Sequence, residues 1–201
     1  MKKKQKGLLV IISGPSGVGK STVVAKLFKI YPGLKLSTSA TTRPKRPFEK
    51  DKEDYLFLSE EEFFKREKEG EFIEWAKVHG YYYGTPRGDI EKELEKGNTV
   101  VLEVDVQGAA SIKELASRSR IKAASQVFVF LIPPSVDILA FRLKKRKTEK
   151  IEEQNYRLRS AIAELQVMEK YDYIVVNDRV ESAAEKIKAI INVEKERMFL
   201  N

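Results

Sequence analysis

A short apolar run, Leu8–Ser13 (LLVIIS), leads without a break into Gly14-Pro15-Ser16-Gly17-Val18-Gly19-Lys20-Ser21, followed by Thr22. No other feature restricts the fold as much. An uninterrupted apolar run ending in glycine reads as a strand buried on both faces, the kind that parallel sheets use. The octapeptide fits G-x-x-x-x-G-K-[ST]. Gly14, Gly17 and Gly19 permit a tight turn in which successive N–H groups point inward at anionic oxygen, at the N-terminus of the next helix. Lys20 brings a point charge suited to β- and γ-phosphates, and the Ser21 hydroxyl suits Mg²⁺. The helix is written in the sequence: Lys20 to Tyr31 puts Val23, Val24, Leu27, Phe28 and Tyr31 on one face and stops at Pro32-Gly33. This strand, loop and helix are expected to grip the phosphates of a nucleoside triphosphate, ATP foremost.

Similar runs recur at Thr99 to Val104, Gln126 to Ile132 and Tyr173 to Val176, separated by long helical stretches. That alternation predicts βαβ units and an α/β fold: a three-layer core around a parallel sheet of five strands. From Leu34 to Gly97 the style changes, with short strand-like pieces at Leu34 to Ser39 and Tyr55 to Leu58 and many aromatic residues. A helix is expected from Glu60 to Glu69, capped by Ser59 with Glu62 and ended by Gly70. Ser182 with Glu185 reads as a second capping box, opening the last helix. The segment Arg142 to Arg159 is nearly all polar and reads as a mobile cationic flap. The 201 residues are therefore expected to form one domain. Its core takes about 7–33, 98–134 and 171–201, with an insertion at about 34–97 and a lid region at about 135–170.

Composition excludes some chemistry. The chain has no cysteine, so disulfides, cysteine zinc sites and thiol nucleophiles are ruled out, and a reducing cytoplasm is the expected setting. The apolar run Leu8 to Ile12 is too short for a signal-peptide core or a membrane span. A formal charge of +8 favours an anionic partner. Most of the Lys and Glu reads as solvated helix surface. His79, the only histidine, follows no ligand pattern.

Beyond the GPSGVGKST loop, the chain carries STSATTRPKR at Ser37 to Arg46, Glu53-Asp54-Tyr55, FIEWA at Phe72 to Ala76, YYGTP at Tyr82 to Pro86, LEVDVQG at Leu102 to Gly108 and VVND at Val175 to Asp178. In this order these motifs resemble the guanylate kinases, P-loop enzymes that transfer the γ-phosphate of ATP to GMP. The resemblance runs over nearly the whole chain and implies a GMP-binding insertion, an arginine lid and Mg²⁺.

Two guanidinium forks, Arg43 and Arg46, can hold one phosphate, with phenolic donors from Tyr55 and Tyr83; family members use the matching residues for the phosphate of GMP. Ser39, Glu74, Thr85 and Asp105 match the positions that read guanine. A carboxylate such as Glu74 can accept from guanine N1–H and N2–H₂, whereas adenine N1 is itself an acceptor, and a hydroxyl from Ser39 or Thr85 can donate to O6. Glu103 and Asp105 lie two residues apart, and either can serve the metal shell through water; Asp105 is favoured for the base edge. Arg142, Arg146 and Arg157 match the lid arginines, Arg43 can bridge donor and acceptor phosphates, and Asn177 is assigned to adenine by resemblance alone.

Phe48 and Lys52 stand where glycine is common in the family, Lys147 replaces a lid glycine, and Tyr81 replaces an asparagine. The rival reading is a catalytically silent peptide-binding module, which the intact loop argues against. ATP and GMP are the expected partners, with no nucleic acid and no membrane; dGMP and IMP stay open as acceptors, and monomer and homo-oligomer are both open.

Overall fold

The computed structural model describes residues 7–78, 80–117, 125–144 and 151–200; the expectations for His79, Arg146 and Lys147 lie outside them. The chain runs β1 (Leu8–Ser13), α1 (Lys20–Ile30), β2 (Lys35–Leu36), β3 (Ala40–Thr41), β4 (Leu56–Phe57), α2 (Glu60–Lys68), β5 (Phe72–Val78), β6 (Tyr81–Pro86), α3 (Arg87–Glu95) and β7 (Thr99–Glu103). It continues through α4 (Val106–Ser117), β8 (Ser125–Ile132), α5 (Val136–Lys144), α6 (Ile151–Leu165), a 3₁₀ turn at Met168–Lys170, β9 (Tyr173–Val176) and α7 (Val180–Leu200). Five strands form one parallel sheet in the order β2-β7-β1-β8-β9, and four form a second sheet in the order β4-β3-β6-β5. The α/β class and the five-stranded parallel sheet match the sequence expectation. Among the described residues no helix is long and apolar enough to cross a membrane.

By internal contacts the described chain divides into two compact units. The first draws on Met1–Leu9, Lys35–Leu102 and Gln107–Ser125; the second draws on Val10–Leu34, Glu103–Val106 and Gln126–Asn201. The first has its own aromatic core. Phe63 is fully buried, stacks on Phe72 with ring centroids 4.7 Å apart and meets Tyr82 and Trp75. Trp75 stays partly exposed at the rim of that cluster. In the second unit α1 packs on α7 and α5 on α6. The α5–α6 seam is Leu139, Leu143, Leu158 and Ala161.

Local chemistry explains the element ends. Ser59 caps α2 by accepting from Glu62 N–H at 3.1 Å. Gly70, at φ 71, stops it, with Gly70 N–H bonded to Glu67 O and Glu71 N–H to Arg66 O, the closed double turn that leaves fewer carbonyls unpaired. Two expectations are corrected. The strand expected at Leu34 to Ser39 is reduced to β2, Lys35–Leu36, in the parallel sheet, and the next strand, β3, begins beyond it at Ala40 and belongs to the other sheet. The last helix starts at Val180, so Ser182 sits inside its first turn rather than at its cap. The polar stretch Arg142 to Arg159, read as a cationic flap, is helical at both ends, in α5 and α6, where Leu143 and the partly buried Leu158 join Leu139 and Ala161 in a helix seam.

Candidate active site

The helix after the glycine loop differs from an ordinary helix at its start. α2 opens with Glu60, Glu61 and Glu62 and a serine cap, which satisfy its N–H groups and dipole. α1 has no acidic residue in its first turn and no capping side chain at Gly19, so its positive end is left for an anion. The loop is held in shape from behind. Gly14 has φ 148, and a Cβ on it would lie 2.4 Å from Leu131 O. Gly17 has φ 81, and a Cβ there would press on Leu143 Cδ2 at 2.7 Å. Glycine is required at both positions for backbone and space together. Val18 is buried, and its carbonyl accepts from Asn177 Nδ2 at 2.8 Å and Arg142 Nη1 at 3.1 Å, while Arg142 Nη2 donates to Asn177 O at 3.1 Å. Asn177 and Arg142 are thus supports of the loop backbone, a placement that sequence alone does not reveal.

Lys20 Nζ donates to Gly14 O at 2.7 Å and Pro15 O at 3.3 Å, which keeps the ammonium over the loop. The Ser21 hydroxyl donates to Glu103 Oε1 at 2.6 Å. Burial pushes the Glu103 carboxyl up, opposed by the Ser21 hydroxyl and the Lys20 charge. No group of three or more His, Cys, Asp or Glu gathers among the described residues as an all-protein metal cage would need. The Ser21–Glu103 oxygen pair fits a small hard cation that takes its other ligands from water and phosphate. Asp105 belongs to this same unit, with its charge acting on Glu164 and Tyr171. Arg157 lies half-buried on α6. Pro15 is buried and Thr22 exposed.

Ser16 was expected only as a loop residue. Its N–H donates to Glu164 Oε2, on α6, at 3.1 Å. Sequence reasoning missed Glu164, because nothing in the spacing of a contact 148 residues long signals it.

In the first unit, Arg43, Tyr55 and Tyr83 come together. The Arg43 side chain is 11% exposed, with Nη2 2.7 Å from Glu49 Oε1 and Nη1 donating to Pro44 O at 2.7 Å. Its Cζ lies 5.5 Å from the Tyr55 ring centroid, and the Tyr55 and Tyr83 rings meet edge to face at 6.1 Å. Burial works against the Arg43 charge, but hydrogen bonds to Glu49 and Tyr83 outweigh it and hold the guanidinium pKa above its ordinary value. Arg46 is more exposed, and its backbone N–H donates to Glu49 Oε2 at 2.8 Å. Glu49 is therefore gripped at both oxygens. Burial raises its pKa, but the Arg43 and Arg46 bonds and charges dominate and leave it lowered. Glu49 too escaped the sequence reading, although an acid three residues past Arg46 in a basic segment was a usable signal.

Glu74 is buried at 8% exposure and Thr85 at 1%. They are cross-strand partners on β5 and β6, just after a register shift between Phe72 and Glu74; a bulge of this kind re-aims a side chain. The Thr85 hydroxyl donates to Glu74 Oε1 in a short bond. Tyr83 lies two residues from Thr85 on the same strand, in regular register, so both face one side of β6 about 7 Å apart. Ser39 precedes β3, and its carbonyl accepts from Leu56 N–H at 2.9 Å.

This geometry has close counterparts. The guanylate kinase family model matches residues 6–194. The guanylate kinase of Caldanaerobacter subterraneus subsp. tengcongensis is 50% identical over 198 residues, covering 98% of this chain and 93% of that one. That of Thermotoga maritima is 44% identical over 196 residues, covering 98% and 91%. The crystal structure of guanylate kinase from Anaplasma phagocytophilum superposes with a TM-score of 0.78 at 34% identity, covering 96% of this chain and 88% of that one. A glycine-rich loop at an uncapped helix start, a cluster of Arg43 with Tyr55 and Tyr83, and a match of this extent together place the chain in the guanylate kinase family.

Proposed function

We propose that the chain transfers the γ-phosphate of ATP to GMP, giving ADP and GDP, and accepts dGMP as well. The observation that carries this reading is the face of β6. It presents Tyr83, beside Arg43 and Tyr55, and Thr85, beside the buried Glu74 carboxylate. One strand thus offers a phosphate-binding end and a base-reading end a few ångströms apart, which suits a nucleoside monophosphate. Glu74 accepts from guanine N1–H and N2–H₂. Because the Thr85 proton is committed to Glu74, Thr85 orients the carboxylate, and Ser39 is the hydroxyl left for O6. Asp105 is assigned to the base edge and Glu103, through its bond to Ser21, to the metal shell.

The loop from Gly14 to Thr22 takes the ATP phosphates on main-chain N–H groups, with Lys20 neutralising charge on the migrating group. Arg142, Arg146 and Arg157 are the lid arginines and Asn177 serves adenine, with Asn177 and Arg142 also keeping the loop backbone in place. The Ser21–Glu103 pair would hold Mg²⁺, which when bound neutralises phosphate charge. The acceptor phosphate oxygen is itself nucleophilic, so no protein nucleophile or phosphoenzyme is required. The reaction draws on ATP and purine monophosphate, which suits a cytoplasmic location.

The test is ADP formation with Mg²⁺-ATP and GMP, dGMP, IMP, AMP, CMP or UMP offered separately. Turnover is expected with GMP and dGMP, and far below that with AMP, CMP and UMP. Absence of turnover with every acceptor, in a folded protein that binds nucleotide, overturns the reading.

A further inference from the structure

The P-loop already carries an anionic ligand supplied by the chain itself. Ser16 N–H belongs to the loop whose main chain is shaped for anionic oxygen, and it donates to the Glu164 carboxylate at 3.1 Å. That carboxylate is poorly held. Burial disfavours its charge, one N–H and the Lys20 field favour it, and Asp105 repels it. A triphosphate offers the same N–H groups more charge and more oxygens, and Lys20 attracts both. The two anions therefore compete for one donor and one counter-charge.

Glu164 also ties a helix to the loop. It lies in the last turn of α6, the helix that carries Arg157. α6 is seamed to α5 through Leu139, Leu143, Leu158 and Ala161, and Leu143 stands against Gly17. The loop thus meets this helix pair through contacts of different kinds: an apolar contact at Gly17 and the Arg142 bond to Val18 O, which phosphate does not challenge, and a carboxylate contact at Ser16, which it does.

We propose that Glu164 is a displaceable internal ligand of the P-loop, exchanged for a phosphate oxygen when the nucleoside triphosphate binds, so that phosphate charge releases the C-terminal end of α6 from the loop. This rests on the reading that the loop binds a triphosphate. Glu164 acts here as a positioning residue and takes no part in bond making.

Glu164→Gln keeps the shape and an oxygen that can accept from Ser16 while removing the competing charge. By calorimetry with the non-hydrolysable β,γ-imido analogue of ATP, the variant is expected to bind roughly three- to tenfold more tightly than wild type, the scale of one charge-assisted hydrogen bond. Adenosine, which has no phosphate, is expected to bind both proteins equally. Equal or weaker binding of the analogue by a folded variant overturns the proposal. A wild-type measurement guards against a variant that does not fold. The ¹³C resonance of the Glu164 carboxyl is expected to shift on adding the analogue and to stay in place with adenosine; an unmoved resonance in protein saturated with the analogue also overturns it. No binding of the analogue to wild type would sink the P-loop reading itself, and this proposal with it.

Discussion

The two anion sites proposed for the chain are built from opposite materials. In the second unit the donors are main-chain N–H groups at an uncapped helix start, their geometry fixed by glycines and by carbonyl contacts behind the loop. In the first unit they are side chains, a guanidinium and two phenols packed on one another. Each site also holds a carboxylate, and the two carboxylates differ in kind. Glu49 is bonded at both oxygens, and its pKa is driven down; Glu164 has one N–H, and burial drives its pKa up. The first belongs to the site as built, setting the Arg43 fork at an angle that an isolated arginine would lose entropy to adopt. The second is a tenant. A side-chain site needs a permanent counter-ion to stay assembled, whereas a main-chain site keeps its shape through its glycine backbone and the contacts behind it and can give its counter-ion up.

The largest effect expected from disturbing this contrast is at Lys20. Lys20→Ala removes the one mobile charge of the main-chain site and should lower kcat by about 10²–10⁴-fold. The fold should remain, because the ammonium's bonds to Gly14 O and Pro15 O are local to the loop; steady-state ADP formation alongside a thermal melt reads both, and an undiminished kcat removes the role assigned to it. Next comes Glu74→Gln, which should reduce the preference for GMP over AMP by about tenfold or more, measured as the ratio of kcat/KM values. A ratio equal to wild type would detach base reading from Glu74.

The sharpest test of the comparison is Glu49→Gln, expected to lower kcat/KM for GMP by about three- to tenfold while leaving the KM for ATP unchanged. The same chemical change at Glu164 is expected to act in the opposite direction on its own ligand; like signs at the two positions would break the distinction between built-in and displaceable carboxylates. Glu49 also leaves a mark on acid stability. Because its folded pKa is depressed, its contribution is fully present above the unfolded carboxylate range and is lost as pH falls through the folded value, so Glu49→Gln should flatten that limb of a stability–pH curve. The smallest effect is at Lys52, at φ 64 the only non-glycine residue with positive φ among those described. Lys52→Gly should stabilise the first unit by about 0.5–1 kcal/mol in urea denaturation, with kinetics unchanged; no gain would mean that the turn carries no strain.

What the sequence showed plainly was local. β1, the glycine loop and α1 are contiguous and use one period at a time, and the Ser59 cap and Gly70 stop are read within a few residues. The two-residue strands β3 and β4 carry too few positions to display any period, and their partners lie far along the chain. The start of α7 was misplaced because Ser182 offers a capping pattern that the preceding backbone makes unnecessary. Arg43, Tyr55, Glu74 and Thr85 were identifiable as residues, but not the bond that commits the Thr85 proton to Glu74. Glu49 and Glu164 were missed for different reasons: Glu49 lies within six residues of both its arginine partners and could have been read locally, whereas Glu164 reaches its loop from 148 residues away and looks, in one dimension, like any other surface acid.

All six residues of β1 are at most 1% exposed, and the phosphate loop begins at the next residue. In hydrogen-exchange terms the loop grows out of a segment whose amides should open only with the whole molecule, while the helix ends around it can open at lower free energy. The boundary between slow and fast exchange should therefore fall at Gly14. Partial opening that spares β1 would leave the nest of N–H groups in register, so nucleotide binding should persist through subglobal fluctuations and disappear only at the cooperative midpoint.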